Sequence, residues 1–162
     1  MDTDALIKVT KSSLKETLCR EHDLLLAPAV WKECVDQGKA GGHADALRIE
    51  ENAERGRLRV ATPSRPSPME RAIETLRMVG GEADALRLFG GGGVDLVVSD
   101  DSRFLRFLAD LQVPAATTSA LLIGLARSGR LSLAEALAKL EDLSPMISEA
   151  QYREARAALE VE

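Results

Sequence analysis

Val94-Asp95-Leu96-Val97-Val98 runs straight into Ser99-Asp100-Asp101-Ser102, and then into a segment carrying Phe104, Leu105, Phe107 and Leu108. A short β-branched apolar run suits a buried strand. The Ser/Asp cluster after it suits a helix N-cap. Apolar residues three and four apart then give that helix one buried face. A nearly all-apolar strand feeding directly into a helix belongs to a parallel sheet covered on both sides. The same order recurs at Asp23-Leu24-Leu25-Leu26-Ala27, after which Pro28 opens a helix at a first-turn position where its missing N–H costs nothing.

The rest of the chain fits this pattern. Residues 5–20 read as one helix with Leu6, Ile7, Leu14 and Leu18 on its apolar face. The helix opened by Pro28 holds Trp31, Glu33 and Val35 and is expected to stop at Gly38. Residues 43–55 read as a charged amphipathic helix and Leu58–Ala61 as a short strand. Thr62–Pro68, with three prolines, reads as a surface loop. A helix over 69–79 is expected to end at Gly80-Gly81, with another starting at about Glu82. The fold predicted is α/β: a three-layer sandwich with a central, mostly parallel sheet, built as a single domain over residues 1–162.

Composition narrows the function classes. Apolar residues are 45% of the chain but aromatics only 3%, so Leu, Val, Ile and Ala must fill the core. The formal charge of −5 argues against coating nucleic acid through bulk positive charge, although a metal at an acidic site would reverse the local sign. No apolar run is long enough to span a membrane and no secretory signal is visible, so a cytoplasmic protein without membrane contact is expected. Cys19 and Cys34 are then expected as free thiols. Together with His22 and His43 their spacing matches no common zinc pattern. Gly90–Gly93 precedes a strand, the reverse of the strand–glycine–helix order of phosphate loops, so it reads as a turn and a nucleotide-binding domain is disfavoured.

Acids at unusual positions carry the chemistry. Asp100 and Asp101 follow the strand Val94–Val98, at the carboxyl end where α/β sheets gather ligands. Asp101 shares a helical face with Phe104, Leu105 and Leu108, whereas Asp100 alone would satisfy a cap. Glu82 lines up with Ala85, Leu86 and Phe89, which puts a carboxylate on a core-facing stripe; Asp84 lines up with Arg87 and reads as an exposed pair. Glu33 shares a face with Ala29 and Val30. In Asp2-Thr3-Asp4, Asp4 reads as the better helix cap. Clustered carboxylates repel unless a cation joins them, and Mg²⁺ suits such a set because it keeps several waters.

With these residues in hand, the chain resembles the PIN-domain family, in particular its VapC-like toxin-type ribonuclease branch. Asp2-Thr3-Asp4-Ala5-Leu6-Ile7 looks like the first acidic motif and Ala27-Pro28-Ala29-Val30-Trp31-Lys32-Glu33 like the second. Gly81-Glu82-Ala83-Asp84-Ala85-Leu86 looks like the third and Val97-Val98-Ser99-Asp100-Asp101-Ser102-Arg103-Phe104 like the fourth. The resemblance implies Asp2, Glu33, Glu82 and Asp101 as the catalytic, metal-holding acids, with Asp100 as a substitute or addition and Mg²⁺ or Mn²⁺ as cofactor. Thr3 and Ser99 would orient water or carboxylates.

The same resemblance implies a metal-dependent endoribonuclease, the toxin of a toxin–antitoxin pair. RNA, a small antitoxin protein and a second copy of the chain would be its partners. The alternative is a non-catalytic PIN-like module that binds protein or RNA. Lys8, Lys11, Arg103 and Arg106 follow the first and fourth motifs and are expected to steer substrate. The family has a short apolar strand ahead of its first Asp, where here only Met1 precedes Asp2. An upstream start, another segment or a partner is expected to fill that place.

Overall fold

The computed structural model describes residues 1–63 and 66–161, so the expected loop Thr62–Pro68 includes two residues, Ser64 and Arg65, outside the described set. The chain opens with helices α1 (Thr3–Lys11) and α2 (Leu14–Glu21). They differ from the single helix expected because Ser13 turns left-handed (φ 54°) and the Ser12 hydroxyl donates to the Lys8 carbonyl, competing with the helical ladder. Strand β1 (Leu24–Leu26) leads through Pro28 into α3 (Pro28–Trp31), a wider π-helical stretch (Lys32–Gln37) and α4 (Gly38–Ala40). Gly38 does not stop this helix. Its φ is −60°, and a Cβ there would lie 3.0 Å from the Ala46 Cβ, so the glycine serves close approach to α5 (Ala44–Glu54).

Strand β2 (Leu58–Val60) pairs parallel with β1, Leu24 opposite Leu58 and Leu26 opposite Val60. Helix α6 (Glu70–Thr75) is shorter than expected because Arg77 turns left-handed, and α7 (Gly80–Gly90) begins at the glycine pair expected to separate them. Strand β3 (Val97–Val98), helix α8 (Ser102–Asp110) and strand β4 (Ala115–Ala116) follow, with β3 and β4 parallel. The ladder is short because β4 offers so few residues after Pro114: Val97 N donates to Pro114 O and Ser99 N to Ala116 O. Helices α9 (Thr118–Arg127), α10 (Leu133–Leu143) and α11 (Glu149–Glu160) close the chain, the last two on Ser132/Glu135 and Ser148/Gln151 capping boxes.

The α/β order with parallel strands is present, but the described strands form two separate pairs, β1–β2 and β3–β4, where one sheet was expected. Each pair sits on its own core. Leu6, Leu18, Leu26, Leu58, Leu122 and Leu140 belong to the larger core; Leu86, Val97, Phe104 and Leu108 belong to the smaller. Backbone at the chain's start links the two, because Met1 N donates to Leu25 O at 3.3 Å and Asp2 N donates to Val98 O at 3.0 Å. No described helix is long and apolar enough to cross a membrane.

Candidate active site

Because Asp2 N bonds to Val98 O, the start of α1 lies against the carboxyl end of β3, beside Ser99, Asp100 and Asp101. Asp2 caps α1 by accepting from Ala5 N at 2.8 Å, a role expected of Asp4. Burial pushes the Asp2 carboxyl above the usual range and the nearby Asp100 adds to this; hydrogen bonds from Ser99 and Ala5 and the chain's amino group only moderate it. Glu82, in the first turn of α7, is half-buried and is also raised, first by desolvation and then by Asp101, with a further push from Asp2; Arg103 opposes them. Asp2, Glu82 and Asp101 therefore share one electrostatic field at the end of β3. Asp84 pairs with Arg87 at 2.9 Å, as its helical phase predicted, although both are less exposed than expected.

The paired aspartates divide their work. Asp101, not Asp100, caps α8, accepting from Phe104 N at 2.7 Å. The Asp100 side chain is only 2% exposed: it accepts from Thr118 N at 2.8 Å and Thr118 Oγ1 at 2.7 Å, and it pairs with Lys8 Nζ at 3.0 Å. Both Asp100 oxygens are thus committed to α9 and α1. Lys8 also pairs with Asp4 at 2.6 Å, and of the four basic residues expected to steer substrate it is turned inward. Lys11 pairs with Asp45 at 3.6 Å, whereas Arg103 and Arg106 are exposed, Arg103 over the Phe107 ring at 5.4 Å.

Glu33 is exposed on the π-helical stretch, not inward as its helical face suggested, and accepts from Thr3 Oγ1 at 2.5 Å. The wider turn re-aims side chains along the helix, an irregularity frequent at functional sites that no periodicity in the sequence announces. Glu33 lines a cavity of about 320 Å³ with Lys11, Gln37, His43 and Asp45. Its partner Thr3 directly follows Asp2 in the chain.

Among the described residues, no three His, Cys, Asp or Glu side chains form a ready-made metal cage. Cys34 is buried, its thiol pushed up to about 11 by desolvation, while His43 is exposed. The donor chemistry of Asp2, Glu82 and Asp101 nonetheless fits a hard cation: the oxygens are carboxylates, and their mutual repulsion is what a divalent ion relieves. Mg²⁺ needs only one or two direct carboxylates and lets waters reach the rest.

A parallel α/β chain with acids gathered at the ends of its strands defines a class of domain that binds ligands at that edge. A family model described as DUF3368, a PIN domain, matches residues 1–160, and the chain belongs to this PIN-domain family. Searches of curated proteins and of solved structures return no match. PIN domains are generally nucleases and typically use divalent metals, which makes nucleic acid the substrate class for the family.

Proposed function

We propose that the protein is a metal-dependent endoribonuclease and acts as the toxin of a toxin–antitoxin pair, with a small antitoxin protein and a second copy of itself as partners. The observation that carries the nuclease reading is the shared field of Asp2, Glu82 and Asp101 at the carboxyl end of β3, which raises both Asp2 and Glu82. Asp2, Glu33, Glu82 and Asp101 would hold Mg²⁺ or Mn²⁺. When bound, such an ion polarises the phosphodiester and lowers the pKa of a bound water. The chain's own polar residues orient the acids: Ser99 holds the Asp2 carboxyl and Thr3 holds Glu33. Asp100 is the least suited of the five acids to bind the ion, since Lys8 and Thr118 take its oxygens. In this reading the two strand pairs belong to one central sheet within a three-layer sandwich.

The test is cleavage of end-labelled single-stranded RNA with Mg²⁺, with Mn²⁺ and with chelator. Asp101→Asn should abolish cleavage while leaving the far-UV circular dichroism unchanged, because Asn caps a helix about as well as Asp. Wild-type protein that binds RNA but cuts it under no divalent ion would make this a binding module instead. Growth arrest on expression, relieved by the same substitution, tests the toxin role.

A further inference from the structure

The cavity of about 320 Å³ beside Glu33 is built by three elements: α1, the π-helical stretch and the start of α5. Its floor is apolar, made of Ile7, Cys34 and Ala46. Along α1, Thr3, Ile7 and Lys11 recur every four residues, so one helical face runs from the Asp2 end to the cavity. Thr3 Oγ1 donates to Glu33 at 2.5 Å and Cys34 Sγ donates to Thr3 O at 3.8 Å, which fixes the π-helical stretch against the first turn of α1. Glu33 and Gln37, four residues apart on that stretch, both line the cavity. Among the described residues the Gln37 amide makes no hydrogen bond, so it is free to turn to a ligand. The His43 ring takes space that a side chain at residue 41 would fill: a Cβ on Gly41 would lie 3.0 Å from both Cδ2 and Nε2 of the ring. Asp45 completes the rim and pairs with Lys11 at 3.6 Å.

We propose that this cavity binds one base of the RNA, and favours a base bearing an amino group over uracil. Small-ligand sites run from about 300 to 1,000 Å³, so this one, at the low end, admits a single ring system. The apolar floor suits the face of a heteroaromatic ring, the polar rim suits its edge, and the His43 imidazole is a ring on which a splayed base can stack. The rim is richer in acceptors than donors. Glu33 and Asp45 accept only, Gln37 can do either, and the cation Lys11 is engaged by Asp45. Adenine, cytosine and guanine each carry an exocyclic amino donor, whereas uracil brings two carbonyls that the carboxylates would repel. An arginine from a protein partner would meet the same carboxylates, but Lys11 opposes a second cation there. The choice of RNA as the polymer rests on the nuclease reading above. Glu33, shared by the cavity and the proposed metal site, places the bound base on a nucleotide bordering the cut.

The test measures binding of hexaadenylate, hexacytidylate and hexauridylate in Ca²⁺, with Asp101→Asn as background so that nothing is cut. The adenine and cytosine oligomers should bind about tenfold more tightly than the uracil one, the worth of one hydrogen bond to a charged group. Asp45→Asn, whose amide can donate to a carbonyl, should narrow that gap to about twofold. Gln37→Ala should weaken all three while leaving the melting temperature unchanged. A gap that persists in Asp45→Asn comes from base stacking elsewhere and would overturn the proposal, as would equal affinity for all three oligomers. So would nuclear magnetic resonance shifts of the Gln37 side-chain amide caused by N-acetylarginine amide and by none of the RNAs, which would make the cavity a seat for a partner's arginine. In Mn²⁺ the wild-type chain should cut a uridine tract containing one adenosine at the bonds flanking that adenosine. Uniform cutting of the tract would refute the base site and leave the nuclease reading standing. Base-selective binding without cutting under any divalent ion would do the reverse.

Discussion

Asp2 carries two opposing demands. Its carboxylate caps α1, which favours the ionised form, yet burial and Asp100 push its pKa up; Glu82 is raised by burial and Asp101. An acid raised above its unfolded value binds more protons folded than unfolded. Its contribution to stability is therefore full below the unfolded value, ~3.9 for Asp and ~4.3 for Glu, and is lost as pH climbs through the raised folded value. Melting of the metal-free protein should accordingly lose stability across that window. Asp2→Asn keeps a capping oxygen but removes the buried charge, so in chelator the loss should shrink and the melting temperature at pH 7 should not fall. Mn²⁺ affinity should drop at least tenfold in the same variant, read by isothermal titration. Melting curves with the same pH dependence as wild type would sink this account of Asp2. Helical phase alone anticipates the pairing of Asp84 with Arg87. It could not choose between Asp2 and Asp4, or Asp100 and Asp101, as caps. Those choices depend on Val98 holding the chain start and on Thr118 and Lys8 claiming Asp100, partners that local spacing does not reveal.

At the scale of elements, Lys8, Asp100 and Thr118 bind three pieces of the fold together: α1, the loop after β3 and the start of α9. Lys8→Met would leave the buried Asp100 carboxyl with two Thr118 donors and no lysine beside it. Removing one partner of a buried pair costs about 3–5 kcal/mol. With the Lys8 side chain 12% exposed, the lower end, ~3 kcal/mol, is expected from urea unfolding, and Lys8→Arg should recover most of it. A loss below the error of the fit would show that α9 is held without this pair. The contact of α4 with α5 makes a second case. Gly38→Leu would drive a side chain into Ala46, so overpacking of about 1–3 kcal/mol is expected; a Leu variant as stable as wild type would refute close packing as the reason for the glycine. In the sequence Gly38 reads as a stop signal because a glycine that allows helix approach and one that ends a helix look alike. Strands β1 and β2, by contrast, were placed to within a residue, since apolar runs bounded by Asp, Pro and Gly leave little choice. The apolar run Val94–Val98 is longer than the paired β3 because ladder length is set by the partner strand, not by the run itself.

The molecule as a whole carries a net charge of −5, so in the nuclease reading substrate capture depends on exposed cations near the proposed acids. Lys8 is spent on Asp4 and Asp100, and Lys11 on Asp45. Arg103 and Arg106 are exposed on α8, the helix capped by Asp101, and Arg103 already influences Glu82. Arg103 also lies over Phe107, which holds the guanidinium in place at small entropic cost. In the nuclease reading, these two arginines are the exposed cations on the helix that Asp101 caps, and the charge of Arg103 already reaches Glu82. Changing both to Ala should weaken RNA binding and reduce the slope of log affinity against log salt by up to ~1.4, since each phosphate contact on a single strand releases ~0.7 of a counterion. Binding should be measured in Ca²⁺ with Asp101→Asn as background, so that cleavage does not deplete the ligand. Lys8→Met, assayed at a temperature where it stays folded, should leave that slope unchanged. An Arg103/Arg106 double variant with the wild-type salt slope would place the substrate path elsewhere.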